Sequence, residues 1–137
     1  MKCLVNRKEL LSELKIIDRL FKQDKKRNDI TNNVRVIVRN NTLILFVWRD
    51  GRMYKTSIKA VHLSFIDSDT WDTTVNIRAF KEAVDKMKSE VVELLYAVPD
   101  YTVKVTDGDS VEVLDTIKAY LYPGDIFLHT ARRSFPS

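Results

Sequence analysis

The chain has 137 residues, 45% of them hydrophobic and 31% charged, with a single cysteine. That describes one globular domain with a real core, and no apolar run approaches the roughly 20 residues a membrane-spanning helix needs. The net charge of +4 permits an anionic partner without proving one, so the placement of the charge matters more than its sum. The lone Cys3 excludes an internal disulfide, and the start MKCLVNRKE has no signal-peptide apolar segment; a reducing cytosol is the expected compartment.

Residues 1–5, MKCLV, read as a short strand. Asn6 is placed to cap a helix, with Glu9 three residues on as the other half of a capping box. The helix is predicted over about 7–23, and its spacing sorts the side chains into two rows. Leu10, Leu14, Ile17 and Phe21 make a core stripe. Lys8, Ser12, Lys15, Arg19 and Lys22 make a second, almost wholly cationic row that runs into Lys25, Lys26 and Arg27. Periodicity alone makes such a row a solvated face. The polar stretch DKKRNDITNN ends the helix, and NVRVIVR (33–39) then alternates valines toward one face. Asn40-Asn41 suits a tight hairpin turn. TLILFVW (42–48) is apolar on both faces, as a central strand is, and Asp50-Gly51 marks a turn before a strand over about 52–59.

The second half repeats that order after a bridging segment, residues 60–72. TTVNI (73–77) is a strand and Asn76 a cap for the helix that follows. The stretch RAFKEAVDKMKSEVVELLYAV admits two readings, since VVELLYAV alone suits a buried strand. The unbroken stripe of Phe80, Val84, Met87, Val91 and Leu95 assigns it to one helix over 78–97, stopped by Pro99. Strands are then predicted at 101–105, 110–114 and 116–122, with turns at Asp107-Gly108 and Pro123-Gly124. The prediction is an α+β domain over 1–127, built from two strand–helix–three-strand halves with two helices packed on antiparallel sheets, followed by a tail over 128–137.

That order of elements resembles one domain of the bacterial DNA sliding clamp, the beta subunit of DNA polymerase III. MKCLVNRKELLSELKII is similar to the clamp's opening strand and first helix. NNTLILFVWRDGRM is similar to its third strand and acidic turn, with Asp50 at the matching aspartate. VVELLYAVPDYTVKVTDGDSVEVLDTIKAYLYPGDIF is similar to its helix end, Leu-Pro-Asp turn, last strands and closing Pro-x-Asp-Phe segment. The order persuades, because no motif in it is specific alone.

The resemblance implies a role for the cationic row. Clamp helices line the hole of a ring around duplex DNA, and the sheets form its outer wall. Lys8, Lys15, Arg19 and Lys22 would then face phosphates, with Lys25, Lys26 and Arg27 at the rim. Phosphate contacts need no base reading, which suits a protein that slides over any sequence. The chain departs from the family pattern in three ways. It supplies one domain where the clamp subunit has three. The predicted second helix is longer than the family's. Arg78, Lys81, Lys86 and Lys88 on it are offset by Glu82, Asp85, Glu90 and Glu93.

Neighbouring clamp domains join by pairing edge strands, here 52–59 and 116–122, and six copies would close a ring by analogy. Lys55, Lys59 and Lys118 also read as edge protection, and the expected state is a monomer or weak dimer.

No catalytic constellation emerges, and neither a cofactor nor a metal is expected. Asp67, Asp69 and Asp72 lack the glycine and distal glutamate of a calcium loop; His62 and His129 stand far apart, with no ligand spacing to Cys3. Trp48 and Trp71 read as core or interface residues. Two functions stand: a sliding-clamp-like, processivity-factor-like protein of DNA replication that contacts duplex DNA non-specifically, or a clamp-fold module that binds replication proteins without encircling DNA. The sequence also fits a first domain taken from a longer clamp subunit.

Overall fold

The computed structural model describes residues 1–24, 30–64, 71–97 and 101–118. Strand β1 (Lys2–Asn6) turns Cys3 and Val5 inward and runs directly into helix α1 (Arg7–Leu20). The Asn6 side chain accepts the Glu9 N–H at 3.0 Å, satisfying a donor that the helix leaves open. A single 3-10 turn, Ile30–Asn32, leads into a meander of β2 (Asn33–Arg39), β3 (Thr42–Arg49) and β4 (Arg52–Lys59). Both hairpin turns take the left-handed pair of conformations, with φ of 49° and 61° at Asn40 and Asn41 and 52° and 80° at Asp50 and Gly51. Turns of that hand match the twist of the strands they join.

A short β5 (His62–Ser64) precedes β6 (Trp71–Asn76), α2 (Ile77–Lys86), β7 (Val91–Ala97), β8 (Thr102–Thr106), β9 (Val111–Asp115) and a two-residue β10 (Ile117–Lys118). Asn76 caps α2 as Asn6 caps α1, accepting the Ala79 N–H at 2.9 Å.

The two antiparallel sheets exchange strands. One has the order β5-β1-β7-β8-β9 and the other β10-β6-β2-β3-β4. Each half therefore lends its first strand to the meander of the other half. The equivalence is β1 with β6, α1 with α2, β2 with β7, β3 with β8, β4 with β9 and β5 with β10. Asn6 faces Val91, and Asn76 faces Asn33, in the matching registers. A residue of β1–α1 thus has its counterpart 70 positions on (76 − 6), and a residue of β2 has its counterpart 58 positions on (91 − 33).

The repeat of one strand, one helix and three strands stands, but two of the predicted members change. Residues 91–97 are not the end of a helix; they form β7, which pairs with β1 on one side and β8 on the other. Val92 and Leu94 point into the core, while Val91, Glu93 and Leu95 lie on the other face with partial exposure. The helical stripe was a coincidence beyond Met87, where the backbone is already extended (ψ 152°). Asp107 takes the freed Lys88 N–H at 2.8 Å, and Glu90 O accepts the Arg7 N–H at 2.8 Å. Helix α2 consequently has 10 residues against 14 in α1, so the expected excess length does not exist. The three strands of the second half are β7, β8 and β9. Of the predicted strand 116–122, Ile117–Lys118 pairs with β6 and Thr116 lies outside any strand; residues 119–122, and the tail over 128–137, lie outside the described residues.

The core lies between the sheets and the helices. It joins Cys3, Val5, Val92, Leu94, Val103 and Val105 of one sheet to Val34, Val36, Leu43, Leu45 and Val75 of the other, with Leu10, Leu14, Ile17, Phe80 and Val84 of the helices among them. Strand β3 is internal and buried on both sides, since Ile37 and Phe46 form a second apolar cluster on the opposite face. Trp71 is buried in the core and stacks on Tyr96, ring centroids 5.5 Å apart. Among the described residues no helix is long and apolar enough to cross a membrane.

Candidate nucleic-acid interface

The apolar stripe of α1 faces the core and fixes what the opposite side of the helix shows. Lys8, Ser12, Lys15 and Arg19 are all exposed there, and Lys22 is exposed in the turn that follows. None of the four cations makes an ion pair or a side-chain hydrogen bond among the described residues. Lys25, Lys26 and Arg27 lie outside those residues. The flank of α1 nearest β4 is acidic, and Glu13 accepts the Tyr54 hydroxyl at 2.7 Å. Burial and the Glu13 carboxylate push that phenol up to about 12. An open groove of about 550 Å³ separates this flank from β4, with Lys8 and Ser12 on one wall and Ser57 and Lys59 on the other.

The C-terminal end of α1 is tied down by a residue that no sequence pattern singled out, Arg49. Arg49, at the end of β3, donates to Lys22 O at 2.7 Å, Thr31 O at 3.0 Å and Asn32 Oδ1 at 3.2 Å. Its guanidinium and that of Arg52 lie 5.9 and 5.3 Å from the centre of the Phe21 ring. Asp24 and Asn32 exchange two hydrogen bonds, of 3.1 and 3.0 Å. The chain therefore leaves and re-enters this corner at fixed points, and Lys22 sits at the exit. A signal for Arg49 in the sequence is only its place before the Asp50-Gly51 turn.

The two helices lie side by side and antiparallel. Arg7, at the start of α1, donates to Val84 O and Asp85 O near the end of α2, at 3.2 and 3.0 Å. At the other end Asp18 of α1 meets Lys81 at 2.6 Å and Arg78 at 3.9 Å. Lys86 pairs with Glu112 of β9 at 3.2 Å. The cations of α2 are thus largely engaged, as is Arg7 at the start of α1, whereas, among the described residues, Lys8, Lys15 and Arg19 of the exposed row are not. Counterpart positions sharpen the contrast. Lys8, Ser12 and Lys15 of α1 correspond to Arg78, Glu82 and Asp85 of α2, so one helix presents a cationic row where the other presents a mixed, net acidic one.

No protein-family model matches the chain, and no curated protein does. Solved structures do match. The Helicobacter pylori beta clamp in complex with 3,4-difluorobenzamide superposes with a TM-score of 0.78 at 18% identity, over 90% of this chain and 32% of that one. The same organism's beta clamp bound to a DNA ligase peptide gives 0.77 at 19% identity, with 90% and 32% covered. The DNA polymerase III subunit beta from Pseudomonas aeruginosa gives 0.77 at 16% identity, again over 90% and 32%. The fold is that of a bacterial beta-clamp domain. The chain spans about a third of the length of the clamp chains it matches.

The remaining candidates from the sequence find ordinary surroundings or fall outside the described residues. Burial pushes the Cys3 thiol up to about 11, far from a reactive thiolate. Asp72 is held by Arg35 through two hydrogen bonds of 2.8 and 2.7 Å. Trp48 is partly buried against the Ile37–Phe46 cluster. Asp67, Asp69 and His129 are outside the described residues.

Proposed function

We propose that this is a clamp-like DNA-associating protein of replication, a processivity factor or a domain of one, working by binding rather than catalysis. Duplex DNA is contacted without regard to sequence by Lys8, Lys15, Arg19 and Lys22, extended by Lys25, Lys26 and Arg27. The observation that carries this reading is the row of exposed cations on α1, with no ion pair among the described residues, in a domain with the beta-clamp fold. A solvated lysine face needs no partner, but a row on one helix of this fold, beside a second helix whose cations are engaged, is an asymmetry that solvation alone does not require.

The test is a titration of fluorescently labelled duplex at several salt concentrations. Neutralising four to six phosphates gives a slope of log affinity against log salt of about −4 to −5. Charge reversal at Lys15 and Arg19 removes most of the binding; reversal at Lys86 and Lys88 removes less. Equal losses from both helices place DNA elsewhere, and no binding by the wild type at low salt ends the DNA reading.

A second reading has its own support: Val111 and Val113 are exposed on β9, and the Helicobacter pylori clamp has been seen with a DNA ligase peptide. A clamp-fold module that binds replication proteins without encircling DNA would be retained by a pull-down against those proteins and would show no salt-dependent binding to duplex.

A further inference from the structure

Asp18 stands between the two helices, and its side chain is only 13% exposed. Its Oδ2 holds Lys81 Nζ at 2.6 Å, while Oδ1 lies 3.9 Å from Arg78 Nε and, closed off from water, has no hydrogen-bond partner among the described residues. Both cations belong to α2, and the acid belongs to α1. Lys81 and Arg78 keep 28% and 46% of their side chains exposed, so they sit at the margin of the helical face without being buried beneath it. Further along α2, Glu82 and Asp85 are exposed at the positions that Ser12 and Lys15 occupy on α1.

We infer that Asp18 sets the width of the DNA-contacting face: by engaging Lys81 and Arg78 it withholds two cations of α2 from phosphate and confines the duplex to the row on α1. The inference rests on the DNA reading above. A carboxylate already neutralising an ammonium at hydrogen-bond distance leaves that ammonium little to gain from a phosphate, since bringing it there would strand a largely buried acid. With the acid removed, the same two side chains are free to release counterions from the backbone.

The experiment compares Asp18→Asn with the wild type in the duplex titration. Asparagine has the size of aspartate and takes away only the charge. Releasing one or two phosphate-binding cations steepens the salt slope by about one to two and raises low-salt affinity by roughly three- to tenfold. Adding Lys81→Met to Asp18→Asn erases most of the gain, whereas Lys81→Met alone leaves the slope as it was, because that lysine is engaged in the wild type. Asp115→Asn, on the exposed edge of β9, changes the net charge equally and controls for bulk attraction.

An unchanged slope in Asp18→Asn overturns the inference while leaving the DNA reading intact, as does an equal gain from Asp115→Asn. Should Asp18→Asn lose its fold, the single variant Lys81→Met decides alone: a shallower slope there overturns the inference. A wild type that does not bind duplex overturns both readings together.

Discussion

Lys2 stands to Glu93 as Asp72 stands to Arg35. The internal two-fold carries Lys2 onto Asp72 (2 + 70) and Arg35 onto Glu93 (35 + 58), so the two ion pairs occupy equivalent places on the two sheets with their charges exchanged. Both are short, 2.8 Å for Lys2–Glu93 and 2.7 Å for Arg35–Asp72. Equivalent strands thus need a cross-strand pair at this place, and either polarity serves.

The two pairs differ in burial, and that sets unequal costs. The Lys2 side chain is 46% exposed and that of Arg35 only 8%. Lys2→Ala is expected to cost less than about 1 kcal/mol, the range of a solvated pair. Arg35→Met strips a bidentate partner from Asp72 and is expected to cost about 3 kcal/mol, the low end for breaking a buried pair, because Asp72 keeps contact with water. Urea denaturation of the two variants checks the ranking. Equal costs would mean that burial does not govern these pairs.

Asp107 gives the fold an acid-sensitive corner. Its carboxylate accepts the backbone N–H groups of Lys88, Ser110 and Asp109 at 2.8, 2.9 and 3.0 Å. These donors favour the charged form and hold its pKa down at about 2. The unfolded chain takes up this proton first as pH falls, so the contribution is complete above about pH 4 and is lost toward pH 2. Asp107→Asn is therefore expected to flatten the acid limb of stability between those values. Urea midpoints measured from pH 2 to 6 on both proteins check it; parallel curves would assign the acid sensitivity to other carboxylates.

That corner also explains what the sequence showed and what it hid. The caps at Asn6 and Asn76, the Asn40-Asn41 and Asp50-Gly51 turns and the core stripe of α1 are local, and each appears where its residues predict it. The end of α2 is not local. Met87, Val91 and Leu95 continue the spacing of Phe80 and Val84, and no glycine or proline interrupts them. The chain leaves the helix because Asp107 and Arg7, distant in sequence, engage Lys88 and Glu90, and because β1 and β8 both need β7 between them. The candidate site divides in the same way. Exposure of Lys8, Lys15 and Arg19 follows from the stripe opposite, while the hold of Asp18 on Lys81 needs the antiparallel packing of the helices.

Cys3 is expected to be inert in the folded protein. It is fully buried, and burial pushes its thiol up to about 11, so almost no thiolate exists near neutral pH. A thiol reagent at pH 8 should label it only on unfolding, in step with the loss of structure. Rapid labelling of the native protein would show that β1 opens locally.

The open edges of the two sheets differ in charge, and this shapes self-association. Strands β4 and β9 each form one edge of their sheets, opposite β10 and β5, and are counterparts under the internal two-fold. Edge β4 carries Arg52, Lys55 and Lys59, and edge β9 carries Glu112 and Asp115. The counterpart of β4 is therefore β9, while the described part of the 116–122 segment, β10, is the opposite edge of the β4 sheet, where the sequence predicts an edge strand. Like edges repel, and unlike edges attract, so strand addition between copies would run head to tail. A monomer is expected at micromolar concentration, with a weak dimer that grows as salt is lowered. Sedimentation velocity over a range of protein and salt concentrations checks this. Association strengthened by salt would point to β4 pairing with β4, and a stable hexamer at micromolar concentration would show that the lysines on β4 do not protect that edge.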